Sequence, residues 1–270
     1  MNFFKSREQK FNFEFIFSAI FFLFFIGTGL KEVRAEESQK MFEQANSLLK
    51  EGRVDDAISI YKNIKHENNS SVFYFNFGNA WFRNHDYGRA ILNYRKALFL
   101  NPRDSDARMN LKYARAKIKD RLDYGERSNP LLKIFDIIDY FSLNEIYRFF
   151  CFSVFLTMFL FFIYRFTRRR FLNQVLSLVL FLTFLTTTGF LYKYYWWKKV
   201  KQGVVLKNIT PVRAGPGIHF NESLSPLNSG AEIVIEEESA GWYKIKVFTV
   251  GSSGREVKQG YIARESVGII

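Results

Sequence analysis

Cysteine is almost absent: Cys151 is the only one in 270 residues. No disulfide can close within the chain, and no Cys-based metal or redox motif can be assembled. Cys151 sits inside an apolar run and reads as a small hydrophobe facing lipid or a neighbouring helix. Histidine is nearly as scarce. His66, His85 and His219 lie far apart, with no Cys, His or carboxylate at ligand spacing. A metal site is therefore not expected, and neither is a nucleophile with its base. No Gly-rich phosphate loop follows a strand, and Gly215-Pro216-Gly217 reads as a turn. These gaps point away from an enzyme and from any cofactor.

Acidic residues are also in deficit, 26 against 39 Lys and Arg, for a formal charge of +13. Such an excess raises nucleic acid or an anionic membrane as a partner. Its distribution decides between them. Residues 1–35 carry +2, 36–130 carry +4, 131–203 carry +7 and 204–270 carry none. Phenylalanine follows the same map: 22 of 32 fall in 1–30, 149–166 and 171–190. Charge at the rims of Phe-rich apolar runs is the pattern of a membrane protein, and nucleic acid is not an expected partner.

At the N-terminus, Lys5, Arg7 and Lys10 precede an uncharged run from Phe15 to Leu30, then Val33-Arg34-Ala35. Residues 1–35 read as a secretory signal cleaved after Ala35 or as an uncleaved anchor. Either sends residue 36 onward across the inner membrane. Two further runs follow, sixteen uncharged residues between Arg148 and Arg165 and 22 from Phe171 to Tyr192. A spanning helix needs roughly 17–25 apolar residues. The second run suffices directly, and the first does so if its flanking arginines reach the headgroups. Spans are thus predicted at 146–166 and 171–192. Residues 130–145 form an interfacial helix in this reading, or else a helix packed on a domain, with Leu131, Ile134, Phe135, Ile138 and Phe141 on one face. Ser142-Leu143-Asn144-Glu145 is a capping box opening the first span. The link between the spans holds Arg165, Arg168, Arg169 and Arg170, which favours the cytoplasm and puts both open ends of the hairpin outside. Lys193, Lys198, Lys199 and Lys201 pull the other way, and the aromatic belt Tyr192–Trp197 marks either interface.

Between the signal and the hairpin, residues 36–125 repeat with one period: Ala45 to Gly78 and Ala57 to Ala90 are each 33 apart. The second unit reads Tyr74-x2-Phe77-Gly78-x2-Trp81, then Ala90-x3-Tyr94, Ala97 and Asn101-Pro102. The first has Met41, Ala45, Leu48, Ala57 and Tyr61; residues 105–121 keep Leu111 and suggest a capping helix. This pattern resembles the tetratricopeptide repeat, in which paired helices pack through small and aromatic residues. The resemblance implies a concave face that holds an extended peptide. Placed on the family's pattern, Asn46, Asn76, Asn79, Arg83 and Asn110 point into the groove, with Phe42 and Phe75 beside them. Some members clamp a C-terminal carboxylate. Asn46 and Asn76 match two clamp positions, whereas Phe42, Asp106 and Asn110 replace the basic ones.

From 203 to 270 short β-rich runs alternate with turns: Val204–Leu206, Thr210–Arg213, Ala231–Ile235, Trp242–Val247 and Gly260–Ala263. Ile233, Ile235, Trp242, Ile245 or its neighbours, and Tyr261 would share one core in a small barrel. The order Val212-Arg213-Ala214-Gly215-Pro216-Gly217, Leu227-x2-Gly230, Gly241-Trp242-Tyr243-Lys244-Ile245 and Gly260-Tyr261-Ile262 resembles the bacterial SH3 domain, with an insert at Thr249–Lys258. That resemblance implies a module for cell-wall peptides or another domain, with Trp242, Tyr243 and Tyr261 as groove candidates.

The fold class expected is a multidomain membrane protein: a helical repeat domain, a two-helix transmembrane hairpin and a C-terminal all-β barrel. This order resembles the BatE-type members of the Bacteroides aerotolerance (Bat) operon family. The resemblance implies an inner-membrane scaffold with periplasmic repeat and barrel, tied to oxidative stress. Its implied partners are Bat proteins with von Willebrand A-type domains; the alternative is an anchor to peptidoglycan. Reporter fusions at Arg127, Arg169 and Ile270 test the topology. Periplasmic activity at both outer points and cytoplasmic activity at Arg169 is expected, and a cytoplasmic Ile270 would remove the barrel from the cell wall.

Overall fold

A computed structural model of the chain describes residues 36–64, 70–120, 122, 134–167, 170–251 and 254–270. The signal or anchor at 1–35, His66 and the arginines at 168 and 169 lie outside the described residues. Two compact units are present, the second beginning at Ser70.

In the first unit, helix α1 (residues 36–50) turns through Gly52, at φ +82°, into α2 (Val54–Asn63). Arg53 N–H donates to the Leu48 carbonyl, closing the end of α1. Ala45, Leu49, Ala57, Ile58 and Tyr61 are buried.

The second unit opens with three helices, α3 (Ser71–Arg83), α4 (Tyr87–Leu100) and α5 (Ser105–Lys117). Each has an N-cap side chain accepting a backbone N–H: Ser70 from Phe73, Asp86 from Arg89 and Asp104 from Ala107. The α3–α4 turn passes through His85 at φ +60°, thirty-three residues after Gly52. The repeat thus keeps its left-handed turn even where a non-glycine must supply it. Helix α4 packs between α3 and α5.

A short helix, α6 (Ile134–Asp139), leads to α7 (Leu143–Thr167) and α8 (Arg170–Lys199), which pack along each other. Ser142 N–H donates to Glu145 Oε2 at 2.8 Å, and Glu145 N–H donates to Ser142 Oγ at 3.2 Å, so the capping box forms. Leu143–Thr167 and Arg170–Tyr195 are long and apolar enough to cross a membrane. At 1.5 Å per residue each is about 37–39 Å long, more than the ~30 Å hydrocarbon layer. Hydroxyls stitch them together: Ser153 to Thr186 at 3.0 Å and Thr157 to Thr183 at 2.9 Å. Such bonds contribute about 0.6 kcal/mol each in lipid. Phe152, Phe155, Phe159, Phe162, Phe181 and Phe184 point outward.

Val200 alone separates α8 from the sheet. Its strands are β1 (Lys201–Val205), β2 (Thr210–Arg213), β3 (Glu222–Leu227), β4 (Glu232–Ser239), β5 (Trp242–Gly251), β6 (Gly254–Ala263) and β7 (Val267–Ile269). All pairings are antiparallel, in the order β3-β2-β6-β5-β4-β1-β7. Strands β3 and β7 have no counterpart among the sequence-read runs: β3 is polar and carries Pro226, tolerated because it is an edge strand, and β7 is only three residues long. Of the 249–258 insert, Thr249–Gly251 extend β5 and Gly254–Lys258 open β6, and Thr249 bridges to Leu122 beyond α5.

The core parity corrects the sequence reading. Tyr243, Ile245 and Val247 alternate inward with Ile233, Ile235 and Ile262. Trp242, three positions from Ile245, must face the other way, as must Tyr261 beside Ile262; both are half-exposed.

The sheet docks on α4 and α5. A Cβ on Gly88 of α4 would stand 2.1 Å from Ser229 Oγ, and one on Gly268 would stand 2.4 Å from Leu92, so backbone approaches helix directly. Glu232 accepts from Arg115 Nε at 2.6 Å and Nη2 at 2.9 Å, and Arg95 Nε lies 3.2 Å from the same carboxylate. Asp120 accepts the Asn228 backbone N–H and side-chain amide, both at 2.8 Å. Residues preceding the α7–α8 pair thus touch residues following it. Removing one member of a fully buried ion pair costs about 3–5 kcal/mol. With these three side chains 14–29% exposed, Glu232→Ala should lower the unfolding free energy by about 1–3 kcal/mol. Denaturant titration in detergent reads this, and an unchanged midpoint would mean that the seam holds without that carboxylate.

Candidate functional site

The residues assigned to a peptide groove fall in both units. In the first, Asn46 on α1 accepts a 2.6 Å hydrogen bond from the Tyr61 hydroxyl of α2, and the Phe42 and Tyr61 rings meet edge-on with centroids 6.2 Å apart. In the second, Asn79 on α3 accepts from the Tyr94 hydroxyl of α4 at 2.8 Å, and the Phe75 ring lies 6.2 Å from that of Tyr94. Each residue of this trio lies 33 positions after its counterpart, so the period carries a bonded geometry as well as a residue pattern.

This geometry gives two of these residues a partner within their own helical pair. Asn46 and Asn79 do not simply face an empty groove, because their amide oxygens bind the tyrosine hydroxyl of the following helix. A buried hydroxyl needs an acceptor, and the Asn amide oxygen provides one. Asn110 of α5 adds a third strut, its amide donating to Asn79 Oδ1 at 2.9 Å. Burial pushes the Tyr94 phenol well above the ordinary tyrosine range, with Asn110 and then Arg83 drawing it partly back. It therefore stays a donor throughout the physiological pH range. Gly78 makes room for this ring, since a Cβ there would stand 2.7 Å from two of its carbons.

Around the network, Asn76 is half-buried and Arg83 is exposed on α3. Asp106, Met109 and Tyr113 are exposed on α5, Met109 and Tyr113 one turn apart. The sequence reading passed over Met109 and Tyr113, although their i,i+4 spacing outside the buried stripe of Ala107, Leu111 and Ala114 was a readable signal.

On the sheet, the three aromatic candidates part company. Tyr243 is 4% exposed and belongs to the core. Trp242 and Tyr261 lie on the outer face, where Tyr261 stands directly opposite both Lys244 and Arg213 in register. Trp242 opposes Ala263, diagonal to Tyr261 and within aromatic reach. The outer face therefore offers two aromatic rings and two cations.

At the seam, burial pushes the Arg95 guanidinium below its ordinary range, Glu232 raises it again, and Arg115 adds to the fall. No three His, Cys, Asp or Glu among the described residues converge as metal ligands. His85 shares a hydrogen bond with the Tyr87 hydroxyl at 3.2 Å, His219 is exposed in a loop, and Cys151 lies on the outer surface of α7.

Tyr61→Phe and Tyr94→Phe should each cost about 1 kcal/mol, the net value of one intramolecular hydrogen bond. Urea titration of each variant reads it; unchanged stability in both would release Asn46 and Asn79 for a solvent-facing role. No family model matches this chain, and no curated protein matches it significantly in sequence.

Proposed function

We propose that the chain is a membrane-anchored, non-enzymatic scaffold of the Bat type, built from tetratricopeptide-like helical pairs and a bacterial SH3-like domain displayed in the periplasm. The observation that carries this reading is the seam. Glu232, Asp120 and the close approaches at Gly88 and Gly268 join α4 and α5 to the sheet, and both flank the apolar hairpin. A platform held in this way presents fixed surfaces beside a bilayer, as a scaffold requires, with little conformational entropy left to lose on binding. The partner surface combines Asn76 and Arg83 of α3 with Asp106, Met109 and Tyr113 of α5. Apolar anchors beside hydrogen-bonding side chains suit a protein segment. The partner expected is a Bat-type membrane protein with a von Willebrand A-type domain.

A second reading, attachment to peptidoglycan, draws on the Trp242 and Tyr261 pair beside Lys244 and Arg213. One preparation separates the two. Full-length chain carrying Asn76→Ala, Arg83→Ala and Tyr113→Ala is crosslinked in membranes and compared with Trp242→Ala on purified sacculi. The scaffold reading expects capture of the von Willebrand-type protein to fall about tenfold in the helical variant, equivalent to about 1.4 kcal/mol. Unchanged capture overturns the surface assignment. Pelleting with sacculi that depends on Trp242 would move the function to the sheet.

A further inference from the structure

A cavity of about 210 Å³ lies where α4 and α5 meet the sheet. Arg95, Arg115, Gln202 and Glu232 are the polar part of its lining, and Leu122 and Phe248 belong to the apolar part, with Ile270 beside them in the lining. Two guanidinium groups here share one carboxylate. Glu232 is gripped at both oxygens by Arg115. Arg95 Nε, although 3.2 Å from Glu232 Oε2, is buried with no acceptor aligned for a hydrogen bond. The other end of that guanidinium donates to the Gln202 side-chain oxygen. Among these side chains two are cationic and one is anionic, in a place that disfavours charge. Arg95 is still 29% exposed along its side chain, which leaves a path from solvent.

Guanidinium N–H groups match the planar oxygens of a carboxylate, and charge-assisted bonds of this kind are the strong ones. Phosphate or sulfate would turn further polar oxygens against Leu122 and Phe248. A carboxylate with a short apolar body satisfies both sides of the cavity. We propose that this cavity is a binding site for a small monocarboxylate bearing an apolar body, its oxygens on Arg95 and its body against Leu122 and Phe248. A short fatty acid and the terminal aliphatic residue of a peptide share that chemistry. The walls come from α4, α5, β1, β4 and β5, so the site exists only while the sheet is docked, and an occupant stabilises the docked arrangement by mass action.

The full chain in lipid nanodiscs, titrated calorimetrically with hexanoate, N-acetyl-leucine, acetate and inorganic phosphate, tests this. Saturable binding of hexanoate or N-acetyl-leucine is expected, with phosphate at least about tenfold weaker. The tighter of the two carboxylates distinguishes the fatty from the peptide source. Arg95→Lys, which keeps the charge beside Glu232 but loses the fork, should weaken that ligand about tenfold. Should this variant lose its fold, Phe248→Ala removes the apolar wall instead and should weaken hexanoate while leaving acetate unchanged. No saturable binding of either larger carboxylate, phosphate binding as tightly, or full affinity in the folded variants would overturn the proposal.

Discussion

One carboxylate organises the second unit. Glu232 at the start of β4 receives Arg115 from α5 and stands beside Arg95 from α4, so a single anion ties two helices to the sheet. Isolated, an ion pair of this exposure adds little to stability. Here it acts with Asp120 and with glycines that let backbone meet side chain directly. The value of the arrangement is in fixing orientation: the bidentate fork of Arg115 accepts one geometry and refuses rotation of the sheet.

The repeated helical pair shows how far residue patterns reach. The 33-residue period was visible in Ala45, Gly78, Ala57 and Ala90, and with it the pairing of helices. The Asn–Tyr bonds were not visible. A side-chain amide on a helix looks solvated until the hydroxyl opposite is known to be buried, and burial of Tyr94 depends on Gly78 across the interface. In the sheet, alternation identified strands but not which parity faces inward. Trp242 has the larger apolar surface, yet Tyr243 shares its face with Ile245 and Val247, and the pleat settles the matter. The seam lay furthest from view, because Arg115 and Glu232 are 117 residues apart and each looks like an ordinary surface charge.

The apolar helices were the most legible elements, since hydropathy and length are compositional. The lysine at the end of the second run gains a different meaning from the structure. Lys193 donates to the backbone carbonyls of Ile138, which also accepts the Phe141 N–H, and of Phe141, where α6 ends. Arg103 adds a second tie to this region, pairing with Glu145 and lying over the Tyr140 ring. These cations serve local hydrogen bonding, so their number near the membrane says less about sidedness than a charge count suggests.

The junction between α8 and β1 has a mechanical meaning. A helix of thirty residues, about 45 Å long, enters the sheet through one residue, Val200, and two positions later Gln202 already touches Arg95. With no slack in that joint, a change in the tilt of α8 must bend the chain at Val200 or turn the sheet. Were α8 to cross a bilayer, a change in thickness that altered its tilt would load the contact between strand and helix.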